Sequence, residues 1–120
     1  MEKVHLSQKF ALFDDLWSPK IVGKLNGQYV KLAKLKGEFV WHHHEAEDEM
    51  FRVVEGTLII QVRDQEDIFL ERGEFAIIPR GVEHKPVAVE EAHVLLFEPQ
   101  STQHTGNVKT ERTVEKQDWI

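Results

Sequence analysis

The chain contains no cysteine. Disulfides, thiolate zinc sites and cysteine nucleophiles are excluded together, so any chemistry must use nitrogen and oxygen groups. Nor does any stretch approach the ~20 apolar residues needed to cross a bilayer, and the start Met1-Glu2-Lys3-Val4-His5 lacks the apolar run of a secretory signal. The expectation is a cytoplasmic protein. An excess of positive charge is missing too: 15 Lys and Arg stand against 21 Asp and Glu, for a formal net charge of -6. Nucleic acid and anionic membrane are bound by clustered basic residues, so neither is an expected partner. The local exception, Lys31, Lys34 and Lys36, reads as a solvated strand face. Internal repeats, low-complexity segments and domain linkers are absent, and 120 residues with 41% hydrophobic content suit one core but not two.

What the chain does have is a cluster of histidines. The run Trp41-His42-His43-His44 is followed five residues later by Glu49, and His84 lies forty residues beyond His44. On an extended strand alternate side chains share a face, so His42 and His44 project to the same side about 6 to 7 Å apart. His43 points the other way and reads as structural. Glu38 to Trp41 has strand character, and Met50 to Val54 resumes it after the polar bend Glu45-Ala46-Glu47-Asp48. A tight hairpin is therefore expected, with Glu49 entering its second strand opposite the histidines. His84 follows the strand-like Ile77-Ile78 and the turn Pro79-Arg80-Gly81. Three imidazoles and one carboxylate suit a divalent ion such as Fe, Mn, Ni, Co, Cu or Zn, and four ligands leave positions free on an ion that takes five or six. Glu45, Glu47 and Asp48 read as solvated, with Glu47 close enough to compete with Glu49; His5, His93 and His104 read as ordinary polar residues.

Two motifs in order carry a resemblance to a known family. Gly37, four residues, His42-x-His44, four residues, Glu49, six residues and Gly56 resemble the first motif of the cupin superfamily; Gly73, five residues, Pro79-x-Gly81, two residues and His84 resemble the second. Gly37 sits one residue closer to His42 than the family pattern has it, and Ala88 stands where that pattern has Asn. The resemblance implies an all-β jelly-roll or double-stranded β-helix barrel holding one divalent metal through His42, His44, Glu49 and His84.

The rest of the chain fits one domain over 1–120, with a barrel core over about 28–98, an N-terminal segment over 1–27 and a polar tail over 99–120. Turn signals recur at Lys36-Gly37, Glu45 to Asp48, Glu55-Gly56, Asp64 to Asp67, Arg72-Gly73 and Arg80 to Glu83, as a sandwich or barrel requires. Ser7 is the expected cap of a short helix over about Gln8 to Asp14, with Leu6 and Ala11 as its hydrophobic staple and Ser18-Pro19 as its stop. Phe10, Phe13 and Trp17, at i, i+3 and i+7, form its covering face. From Gln100 to Gln117 the tail has no aromatic residue, and the apolar pair Trp119-Ile120 is expected to dock back on the barrel.

Alternation places Phe51 and Val53 on the side of Glu49, and Val40 on the side of His42, as pocket lining. Lys34 and Arg80 are the candidates for holding a substrate carboxylate or phosphate. An apolar wall beside the metal favours a small organic molecule over a polymer. The leading expectation is a mononuclear-metal enzyme of isomerase or dioxygenase type, with the substrate unassigned and no catalytic residue assigned beyond the ligands. The alternative is a ligand-binding or sensor module without turnover, motivated by the lack of an obvious general base. A third reading is a purely structural dimerisation barrel; exposed strand edges make a homodimer the expected assembly.

Overall fold

The computed structural model describes residues 1–109 and 116–120. One helix, α1 (Leu6–Phe10), precedes seven strands: β1 (Lys20–Leu25), β2 (Gln28–Glu38), β3 (Glu49–Glu55), β4 (Thr57–Val62), β5 (Ile68–Glu71), β6 (Phe75–Ile78) and β7 (His84–Pro99). All pairings between strands are antiparallel, in the order β1-β2-β7-β3-β6, with β4 joining β5 to β7. The fold is the expected all-β barrel with a short N-terminal helix. Among the described residues no helix is long and apolar enough to cross a membrane.

The barrel closes because β7 serves two sets of neighbours. Its first residues pair with β4, as in Val62 with His84, while its later ones pair with β3, as in Met50 with Phe97. Strand β2 runs beside almost the whole of β7, from Gln28 opposite Pro99 to Glu38 opposite Val87. Inward residues of these strands, among them Ala33, Leu35, Phe51, Val53, Leu58, Ile60, Val94 and Leu96, form one core. Gly56, at φ +86°, turns β3 into β4, and an added Cβ would lie 3.0 Å from the Glu91 carbonyl oxygen and 3.1 Å from Ala92 Cα. A side chain at that position would both strain the turn and push β7 away.

Several local expectations change. Strand β1 lies ahead of the expected barrel start, joined to β2 by Asn26-Gly27, both at positive φ. Asn-Gly is the residue pair a two-residue hairpin turn of this kind selects. Lys36-Gly37 does not end a strand; β2 runs through it with a register shift between Leu35 and Gly37. The helix is shorter and earlier than expected: His5, not Ser7, caps it, accepting from the Gln8 amide at 3.4 Å through Nδ1. It ends long before Ser18-Pro19, so Phe13 and Trp17 are not on its face. Phe10 and Phe13 instead pack with Val22 and Leu32 outside the barrel, and Trp17 belongs to the main core. The chain end docks as expected, with the Ile120 amide donating to Ile21 and the Ile21 amide to Asp118, although Trp119 stays 56% exposed.

Candidate metal centre

His42 and His44 lie not on a strand but in the connection between β2 and β3, so the expected hairpin from Glu38 to Glu49 does not form. The backbone orders this connection by other means. His42 forms an isolated antiparallel bridge with His84, each amide donating to the other's carbonyl, at 3.0 and 2.9 Å. The Gly81 amide donates to the His44 carbonyl at 2.7 Å, and the Arg80 amide to Asp48 Oδ1 at 2.8 Å. The two motif segments are thus stitched directly together. Glu49 arrives as the first residue of β3, facing inward with Phe51 and Val53.

The ligand atoms of His42, His44, Glu49 and His84 all lie within 4.8 Å of one another, and all four residues are buried. Glu49 Oε1 is 3.2 Å from His44 Nε2 and 3.6 Å from His84 Nε2. Donors about 2.1 Å from an octahedral ion stand ~3.0 Å apart when adjacent and ~4.2 Å apart when opposite, so the cluster needs little movement to close on one. His42 Nδ1 is 2.9 Å from the Val40 carbonyl and His84 Nδ1 is 2.8 Å from that of Val82. Donation there fixes the proton on Nδ1 and leaves the lone pair on Nε2. In both rings that Nε2 is buried without a hydrogen-bond partner. A buried acceptor left this way costs free energy unless something cationic occupies the centre it faces.

The charges are tuned accordingly. Burial, then the neighbouring His84, lowers His42 from 6.5 to about 4, so its imidazole is neutral near pH 7. Behind Glu49 lies a second buried carboxyl, Glu98, whose Oε1 is 2.8 Å from Lys31 Nζ. Burial pushes Glu98 well above the carboxylate range, and the Glu49 charge adds to the push more than Lys31 offsets. Burial works to raise Glu49 as well, but its contacts with Glu98, His44 and His84 hold it well below that range. Glu49 is therefore the ionised member of the carboxyl pair.

A narrow cavity of about 30 Å³ opens from the cluster, its wall formed largely by Trp17, Leu35, Phe39, Phe51, Val94 and Leu96. Trp17 stacks on Phe39 at 4.6 Å between centroids and its indole donates to the Lys36 carbonyl. Of the expected lining residues, Phe51 is on this wall, while Val53 and Val40 pack into the core beside it. Lys34 and Arg80 are not on it. Lys34 Nζ donates to the Phe13 carbonyl at 2.7 Å on the outer side of β2, and Arg80 sits at the loop surface beside Asp48. Lys31 and Lys34 are also buried, so the basic run is not a solvated face; Lys36 alone is exposed.

The tail contributes more than its composition suggests. His104 is 6% exposed, stacks on Phe39 and lines the cavity. No motif marks it. The Asn107 amide donates to the His43 carbonyl and Asn107 Oδ1 accepts from the His43 amide, so His43 serves the fold by pinning the tail over the site. Glu47 turns away from the cluster to accept from Ser101. His5 is the helix cap, and His93 stacks on Phe10 and contacts Glu91.

Comparison with known proteins agrees with this architecture. A cupin-2 domain protein of Shewanella frigidimarina is 48% identical, with a TM-score of 0.79 over 81% of this chain and 94% of that one. A protein of Neisseria meningitidis is 29% identical, with a TM-score of 0.76 over 82% of this chain and 100% of that one. The uncharacterized protein YdbB of Bacillus subtilis is 39% identical over 64 residues, 53% of this chain and 57% of its own length. This chain thus matches little more than half of that curated relative. Residues 28–108 match the cupin domain family. With both motifs meeting at one buried cluster inside an antiparallel barrel, the chain belongs to the cupin family.

Proposed function

We propose that the protein binds one divalent transition metal, Fe, Mn, Ni, Co or Zn, through His42, His44, Glu49 and His84, and acts on a small organic molecule held in the adjoining cavity. The observation that carries this reading is the pair of buried, unpartnered Nε2 atoms on His42 and His84, facing the same centre as the Glu49 carboxylate. The donor set of three imidazoles and one carboxylate fits such an ion and leaves positions free on it. When bound, the ion supplies Lewis-acid polarisation of a carbonyl, as isomerisation needs, or, with a redox-active metal, activation of oxygen beside the substrate, as dioxygenation needs.

The chain's own residues narrow the substrate. Phe39, Phe51 and Leu96 make a low-dielectric wall that excludes water, while Lys34 and Arg80, the candidate cations for an anion clamp, lie elsewhere. The molecule is held by the metal and apolar packing, and is small and largely apolar. His104 is the wall's polar side chain outside the ligand cluster and is placed to exchange a proton with it. A binding module without turnover is motivated by the lack of a group of this kind, and His104 weakens that ground.

Untagged protein is expected to carry about one metal ion per chain, and metal at 100 times its Kd is expected to raise stability by about 2.7 kcal/mol. His84→Ala should abolish both effects. Far less than one ion per chain, with no stabilisation by any of the five metals, overturns the metal-binding reading. A mass-spectrometric substrate screen then separates catalysis from binding alone. The same reading holds the protein to be a homodimer, supported by exposed Phe69, Phe75 and Ile77 on β5 and β6; a monomer in micromolar sedimentation overturns that.

A further inference from the structure

Lys31 and Glu98 are each 1% exposed and paired at 2.8 Å, yet packing does not require them. A lysine and a carboxyl buried together commonly stabilise no better than apolar residues of the same volume. Strand register explains where they sit. On β2 and β7, Tyr29 lies opposite Glu98 and Lys31 opposite Leu96, so Lys31 and Glu98 are diagonal neighbours on the face that also carries the cavity residues Ala33 and Leu96. On the other side of β7, Met50 pairs with Phe97, which sets Glu49 across from Glu98 one residue further on. Directly opposed residues have Cβ atoms about 4.5–5.5 Å apart, within reach for two carboxyl groups. Lys31, Glu98 and Glu49 thus form a buried polar strip across three adjacent strands, and Glu49 ends it with Oε1 turned toward His44 and His84.

We propose that Glu98 is a positioning residue for the metal centre: anchored by Lys31, it holds one oxygen of the Glu49 carboxylate and leaves Oε1 alone to face the imidazoles. The inference rests on the metal-binding reading above and adds which atoms of the site are offered. A carboxylate giving one oxygen, with three imidazoles, fills four positions and keeps the remainder free for substrate; a carboxylate giving both would close one of them.

Titration of the full-length protein with Co²⁺, followed by affinity and by visible absorption, tests this. Glu98→Gln keeps the shape, accepts from Lys31 through its carbonyl and donates to Glu49 through its amide; affinity within about threefold of wild type and an unchanged spectrum are expected. Glu98→Leu releases Glu49, so binding should weaken about 10- to 100-fold, with a changed spectrum reporting a changed coordination number. Lys31→Met unanchors Glu98 and should weaken binding about tenfold; it decides the matter if Glu98→Leu does not fold. Wild-type affinity and spectrum in both Glu98→Leu and Lys31→Met overturn the positioning role while leaving the metal site standing. A wild-type protein that takes up no Co²⁺ overturns the metal reading itself, and this inference with it.

Discussion

The histidine loops and the β2–β7 ladder both carry buried polar groups, but they orient them by different means. In the loops each group is aimed by atoms close to it in sequence: His42 by the Val40 carbonyl, His84 by that of Val82, and His44 by the turn that brings the Gly81 amide to its carbonyl. In the ladder, Lys31 meets Glu98 because register brings together residues 67 positions apart. Loops aimed by their own backbone can hold rings in orientations that a pleated strand does not offer. A ladder fixes long side chains against one another over a greater span. The centre draws its ligands from the first arrangement, and the support behind Glu49 comes from the second.

The largest effect that should separate the two is the response to acid. His42 is neutral in the folded, metal-free chain down to about pH 4, against 6.5 for an unperturbed histidine. Between these values the unfolded chain takes up a proton that the folded chain refuses. Acid therefore favours unfolding across that window, and stability held above pH 6.5 is lost toward pH 4 by about 3 kcal/mol from this ring alone. Urea unfolding of chelated protein at several pH values measures it. The loss should shrink by about that amount in His42→Gln; an identical pH slope in the variant would show that the ring is not held neutral.

The same contrast explains how much of the molecule could be read in advance. His42, His44, Glu49 and His84 stand out because fixed spacings mark them, and those spacings survive even though the histidines lie in a loop and not on the expected strand. The inward set Glu49, Phe51 and Val53 follows from alternation, which a regular strand preserves. Strand β1 lies outside the expected barrel, which begins at about residue 28, although Asn26-Gly27 is the local signal for its turn into β2. Glu98, Lys31 and His104 were not legible, since their positions depend on register or on the path of the tail, and neither leaves a local pattern. Lys31 and Lys34 show the limit clearly. Both are lysines on one strand, but an inward lysine paired with a distant carboxylate looks the same in sequence as a solvated one.

A somewhat smaller effect is expected where the tail meets the loop. Gly106, at φ +58°, lies so close to the site that an added Cβ would fall 2.2 Å from the His43 carbonyl oxygen and 2.9 Å from His42 Cδ2. Gly106→Ala must lift the turn off the loop, at a cost of about 1–3 kcal/mol. Because this contact lies outside the strand ladders of the barrel, the clearest reading is local. Hydrogen exchange at Asn107, whose amide donates to His43, should lose its protection while amides in β3 and β7 keep theirs. Retained protection at Asn107 would mean that the tail is not held by this contact.

The smallest effect tests the two lysines against each other. Lys34 leaves β2 on the face opposite Lys31, donating to the Phe13 carbonyl with its Nζ 5.1 Å from the centre of the Phe13 ring. Lys34→Met keeps most of the stem but removes that donor, so a loss of about 1 kcal/mol in urea unfolding is expected. Its Co²⁺ affinity should not change, because no part of the site is reached from that face. The matching change at Lys31 should weaken the metal, and because it takes one partner from a buried pair it should also lower the metal-free stability, by more than Lys34→Met does. If both variants lowered Co²⁺ affinity equally, the effect would belong to net charge and not to the direction in which each side chain points.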